Sequence, residues 1–163
     1  MFDRELLVEL QQYVDNHLQL VFHEMKLYSS EERMISEEIQ NVDIEEFIKI
    51  KRQPSFNKTL FQYIDKKGDS DSDIYKRAGI DRRHFSKIRS NPEYRPGKNT
   101  VIALAFALEL TKKDTDKLLS SAGYSLSDSD TFDLVIQFCL EKKIYDFYDI
   151  NQALDYFSLN PLK

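Results

Sequence analysis

Glycine and proline are scarce in this 163-residue sequence, at four each; tryptophan is absent and there is one cysteine. So few turn residues argue against a β-sandwich or propeller, and so little glycine argues against a phosphate-cradling loop. The lone Cys139 sits in the apolar run LVIQFCL. It rules out an internal disulfide and a cysteine-based zinc site, and it reads as a buried thiol. No stretch approaches the roughly 18 apolar residues of a membrane span. The opening MFDRELLVEL is charged where a signal peptide would be apolar, which predicts a cytoplasmic protein with no membrane contact.

Chemical motifs are missing too. There is no P-loop, dinucleotide fingerprint or nucleophile elbow, so no enzymatic activity and no cofactor are expected. Asp69, Asp71 and Asp73 have the spacing of the first EF-hand ligands. However, Ile74 stands where glycine is required and Ile80 where the bidentate Glu belongs, so the cluster reads as helix capping. His17 and His23 are six residues apart and do not share a helical face, so no metal site is expected.

What is present is helical material: 41% hydrophobic and 31% charged residues, with 11 Phe and 9 Tyr. No segment alternates with period two for long enough to suggest a sheet, which predicts an all-α chain. A long amphipathic helix is expected over about Phe2 to Leu27, with Leu6, Leu10, Val14, Val21 and Met25 on its apolar stripe. That stripe is expected to meet either the chain's own middle or a second copy. The segment from Tyr28 to Asn41 is polar and acidic and reads as loop, frayed helix or linker. Asp43 caps a short helix through Lys51 that carries Ile44, Phe47 and Ile48 on one side, and a boundary falls near Gln53 to Ser55.

Punctuation then becomes regular. Ser55 caps a helix that ends at Lys66, Lys67 and Gly68, and a second helix fits about Ser70 to Ala78. After Gly79 and Ile80, Asp81 caps a third helix through about Arg89, with Phe85 and Ile88 inward. A fourth helix starts at Asn99 or Thr100, and Thr111 caps a fifth that Gly123 ends. Two more helices follow, capped by Asp128 or Ser129 and by Asp146 or Asp149.

Charge is sorted along the chain. Residues 1–52 carry a net −6, residues 53–124 a net +5 and residues 125–163 a net −4, which sum to the overall −5. Between Lys76 and Lys98, eight basic residues face only Asp81 and Glu93. A regional excess of this kind, and not the overall sum, bears on nucleic-acid binding.

Five helices with a short second and third, joined by Ala78-Gly79-Ile80-Asp81 and ending in Leu-Leu-x-x-Ala-Gly-Tyr at Tyr124, resemble the Cro/lambda-repressor-like (XRE-type) helix-turn-helix family over residues 55–126. Residues 55–157 also resemble a helical module found at the C-terminus of several bacterial proteins. The resemblance implies an all-α, five-helix DNA-reading domain at 55–126. A helical segment at 1–52 would precede it, and a C-terminal helix pair at 127–163 would pack on it. It further implies that helix 82–89 enters the major groove of double-stranded DNA, with Arg82, Arg83, His84 and Lys87 reading bases. Lys76, Arg77, Arg89, Arg95 and Lys98 would contact phosphates. Where the family commonly has a small residue at the helix crossing this chain has Tyr75, and a phenol there is expected to push the two helices apart or tilt them. Carboxylates at Asp69, Asp71 and Asp73 would stabilise their helix N-terminus and repel DNA.

The expected function is a small bacterial or phage-type transcription regulator that binds as a homodimer through the stripe from Leu6 to Met25. One alternative is a non-catalytic interaction module on a helix-turn-helix scaffold that no longer reads DNA and meets a protein partner through its acidic ends. Another is an acidic mimic of nucleic acid that acts as an inhibitor.

Overall fold

The computed structural model describes residues 3–28 and 43–162, with side chains for 3–19 and 43–162. Nine α-helices and no strand occur among the described residues: α1 (Arg4–Tyr28), α2 (Asp43–Lys51), α3 (Phe56–Lys67), α4 (Asp71–Arg77), α5 (Arg82–Ser90), α6 (Lys98–Ala107), α7 (Lys112–Ser121), α8 (Thr131–Glu141) and α9 (Phe147–Tyr156). Apart from Tyr28, which ends α1, the segment expected to be loop or linker lies outside the described residues.

Local chemistry sets most of the boundaries. The side chains of Ser55, Ser70, Asp81, Thr111, Asp130 and Asp146 each accept a hydrogen bond from a backbone N–H in the first turn of the helix that follows, satisfying a donor that the helix leaves orphaned. Three starts differ from expectation, the first being α2, where Asp43 lies inside the first turn and not ahead of it. Extended Gly97, not Asn99 or Thr100, precedes α6, so the helix begins at Lys98 without a side-chain cap. Asp130 caps α8 because its neighbours are engaged elsewhere: Asp128 accepts from Gln137 at 2.9 Å, and Ser129 bonds Ser127 at 2.7 Å.

The scarcity of glycine shows at the helix ends. Gly68, Gly79 and Gly123 occupy the left-handed region that a C-terminal turn calls for, but α6, α8 and α9 end on Glu109, Lys143 and Ser158, with φ of 53°, 56° and 55°. The same closing bond forms without glycine: Leu110 N–H to Ala105, Ile144 N–H to Cys139 and Leu159 N–H to Leu154, at 3.1, 2.8 and 3.0 Å.

Helices α6 and α8 are the two central elements. Every residue from Val101 to Ala107 is buried, and so is every residue from Asp133 to Leu140, so neither helix has the polar face of a surface helix. Helix α6 packs on α4 and α7. Helix α8 packs on α1, α7 and α9, and α7 also reaches α3. One continuous hydrophobic core runs from Leu10 of α1 to Leu162 beyond α9. Residues 127–162 close this core: Phe106 meets Tyr145 and Phe147 edge-on, each at 6.3 Å, and the Tyr145 hydroxyl donates to Leu110 O at 3.1 Å. Leu162, whose N–H donates to Asn151 Oδ1 at 2.8 Å, lies beside the turn from Ala78 to Asp81.

The stripe on α1 is consumed within the chain. Leu10 and Val14 are buried against α8, and Leu6 is half-buried on the same core. Full burial of such side chains stabilises by about 1.5–3 kcal/mol each. The Tyr13 hydroxyl donates to Glu141 at 2.9 Å, and Lys142 pairs with Glu9 at 2.7 Å, fixing the register. Leu10 and Val14 therefore offer no surface to a second copy. The side chains of Val21 and Met25 lie outside the described residues. Helix α2 contributes no buried residue at all.

Candidate nucleic-acid interface

The basic stretch from Lys76 to Lys98 runs from the end of α4 through α5 to the start of α6. Helix α4 closes on Gly79, φ 67°, with the Ile80 N–H donating to Tyr75 O at 2.9 Å. Asp81 then opens α5, its carboxylate accepting from the Arg83 N–H at 2.6 Å. On the inner face Phe85 and Ile88 are buried. The Asn57 amide of α3 donates to Ile88 O at 2.5 Å and Arg89 O at 3.2 Å, so α3 satisfies carbonyls at the C-terminal end of α5.

Tyr75 takes a half-buried place between α4 and α5. Its ring is 5.5 Å from that of Phe85, with planes tilted by 43°. Phe61 meets Phe85 from the other side at 6.1 Å. The phenol is thus part of the packing between the two helices.

The basic residues fall into two groups. Arg82 and Arg83, in the first turn of α5, are exposed, and among the described residues neither has a salt bridge or side-chain hydrogen bond. Lys76 is exposed in the last turn of α4, and Arg95 is exposed beside an open cleft that it lines with Arg52, Tyr94 and Ser121. These four remain available to an anion from solvent.

The others are engaged. Arg89 pairs with Asp71 and lies 4.6 Å above the Phe61 ring, so it spans from α5 back to α4 and α3. Arg77 pairs with Asp69. His84 is half-buried, with Nε2 3.1 Å from the Tyr94 hydroxyl, and Lys87 sits 4.6 Å over the same Tyr94 ring. The His84 ring is thus engaged with Tyr94 in the loop after α5.

Lys98 is engaged across the fold. Its ammonium is 2.6 Å from Asp133 Oδ2, and that carboxylate, 2% exposed, also accepts from the Ser127 N–H at 2.8 Å. Lys98 is thus the counter-charge of a buried acid on α8. The acidic residues Asp69 and Asp71 likewise act across space by neutralising arginines, which sequence spacing alone did not show. Their separation from Arg77 and Arg89, by 8 and 18 positions, matches no local pairing rule except through the fold.

Among the described residues no cluster of acidic, histidine or cysteine side chains is arranged to hold a metal ion, and no helix is long and apolar enough to cross a membrane. No protein-family model matches the chain, and no curated protein or solved structure matches it significantly.

Proposed function

We propose that the chain is a non-catalytic, DNA-binding regulator of the lambda-repressor-like helix-turn-helix type, with α4 and α5 as the motif and α5 as the helix that enters the major groove. One observation carries this reading. Arg82 and Arg83 stand exposed and unpaired at the N-terminal end of α5, where their charge opposes the helix dipole. Cations stand in other first turns too, but beside an acid (Arg4 with Glu5, Lys112 and Lys113 with Asp114), singly (Lys58) or already paired (Lys98 with Asp133); α5 alone among the described helices sets two unpaired cations there with no acid, against the sign that stabilises a helix. Two cations placed against that preference gain nothing for the fold and are suited to an anionic partner outside it. Arginine also matches guanine O6 and N7 with two parallel hydrogen bonds. Lys76 and Arg95 would flank the contact as phosphate ligands, and the protein would work in the cytoplasm, where bacterial DNA lies.

The test is capture of sheared genomic DNA from the source organism at near-physiological salt, followed by sequencing of the retained fragments. Enrichment of a few sites that share a short motif supports the reading, and retention of nothing by the folded protein overturns it. On a retained site, Arg82→Ala and Arg83→Ala are each expected to weaken specific binding by roughly 1–3 kcal/mol. An equal loss on every sequence would make both residues phosphate contacts and not base readers.

A second reading is favoured by the ion pairs of Asp71 with Arg89 and Asp69 with Arg77. Carboxylates that neutralise the rim of the basic surface suit an interaction module on the same scaffold that does not read DNA. It predicts negligible DNA affinity even at low salt, whereas phosphate contacts require log K to fall linearly with log salt.

A further inference from the structure

Among the described residues helix α2 has an apolar face without a partner. Ile44, Phe47 and Ile48 recur at three- and four-residue spacing on one side and are 42%, 62% and 45% exposed. Among the described residues the large exposed hydrophobics outside α2 are Val8 on α1 and Tyr148 and Tyr156 at opposite ends of α9, single side chains of a kind ordinary for a protein surface. A nine-residue helix is too short to hold itself together in water, and no residue of α2 is buried in the core.

The charges on α2 point to its partner. The acidic residues Asp43, Glu45 and Glu46 lie in its first turn, and Lys49 and Lys51 in its last. Glu45, Ile48, Lys49 and Arg52 line one shallow hollow along a flank of the apolar stripe. An acid at one end of a flank and two bases at the other make that flank complementary to itself when reversed.

We infer that α2 is a self-association surface on which a second copy of this chain docks its own α2 antiparallel, about a two-fold axis between Phe47 and Ile48. In this pairing Phe47 packs on the partner's Ile48, and Ile44 covers the aliphatic stem of the partner's Lys51. Glu45 faces the partner's Lys49 and Arg52, and the contact is repeated by symmetry. One short helix per copy is well below the roughly 800 Å² per partner of a standard interface, so the dimer is reversible and forms with rising concentration. The apolar face of α2 is separate from α5, and because Arg52, which follows α2, also lines the cleft beside Arg95, the test is made without DNA.

The experiment is sedimentation velocity of the 163-residue chain, without DNA, from low-micromolar to high-micromolar concentration. The mass is expected to move from 19.3 kDa toward twice that value. Phe47→Asp is expected to hold the chain as a monomer with its thermal melt unchanged. Glu45→Lys alone, and Lys49→Glu with Arg52→Glu, each make one flank single-signed, and each protein alone is expected to be monomeric. An equimolar mixture of these two proteins is expected to dimerise again, since the all-basic flank of one then meets the all-acidic flank of the other. A monomer across the whole range, a dimer that survives Phe47→Asp, or a mixture that stays monomeric would each overturn the inference. Ile48→Cys provides a second readout. Cys139 is buried, so the new thiol is the accessible one, and oxidation is expected to link two copies through it; no linked dimer under oxidant would count against the axis.

Discussion

The ammonium of Lys98, in the first turn of α6, lies 2.6 Å from Asp133 Oδ2 in the first turn of α8, and the carboxylate is 2% exposed. This pair joins the two central helices at their N-terminal ends. It converts what reads in the sequence as the last residue of a basic patch into part of the scaffold.

Removing the lysine leaves a buried carboxylate without its counter-charge. Lys98→Ala is expected to cost about 2 kcal/mol. That is below the roughly 3–5 kcal/mol for breaking a fully buried pair, because 30% of the Lys98 side chain is exposed. Thermal and urea unfolding would measure the loss. Binding of the folded variant to DNA is expected to be unchanged, and a weakened affinity with intact stability would restore Lys98 as a phosphate contact.

Asp71 and Arg89 provide a separate lever on the proposed interface. Asp71→Asn leaves Arg89 over Phe61 but withdraws the carboxylate that neutralises it. DNA affinity at low salt is expected to rise, and the slope of log K against log salt to steepen by about one. Fluorescence anisotropy titrations at several salt concentrations measure both. An unchanged slope would mean that Arg89 does not reach a phosphate.

Burial pushes the Cys139 thiol from 9.0 up to about 12, with the Asp149 carboxylate adding to the shift. The thiolate is the reactive form, so iodoacetamide at mildly alkaline pH is expected to modify the unfolded chain and spare the native one, as read by intact mass. The same shift bears on stability. Above about pH 9 the unfolded thiol gives up its proton while the native thiol keeps it, so this contribution to stability falls as pH rises from about 9 toward 12. Urea unfolding across that window is expected to show a shallower decline for Cys139→Ala than for the natural chain.

Lys143 holds a left-handed conformation, φ 56°, where α8 ends. Its side chain is exposed, so glycine would relieve the backbone cost without loss of packing. Lys143→Gly is expected to raise stability by up to about 1 kcal/mol, less the extra entropy of glycine in the unfolded chain. Comparison of urea midpoints at constant slope would measure it. Glu109→Gly is expected to gain less, because Glu109 also pairs with Lys67 at 2.9 Å.

The sequence by itself determined most helix starts and the glycine stops, because caps and left-handed turns act within a few residues; it did not show that Gly97 and Asp130 open α6 and α8 or that Glu109, Lys143 and Ser158 close three helices. Ser55, Asp81 and Thr111 could be recognised as caps, and Gly68 and Gly123 as stops, without knowledge of anything distant. Burial of Phe85, Ile88 and Leu118 was legible for the same reason, since a helical period reports which side of one helix is apolar. The period does not name the partner. Only the tertiary structure decided that Leu10 and Val14 meet α8 and that α6 and α8 are enclosed on every side. It alone decided that Arg89, Arg77 and Lys98 have carboxylate partners while Arg82 and Arg83 have none among the described residues. The physical reason is range: a hydrogen bond to the next turn is encoded where it forms, whereas a charge is neutralised by whatever the packing of separate helices brings within a few ångströms of it.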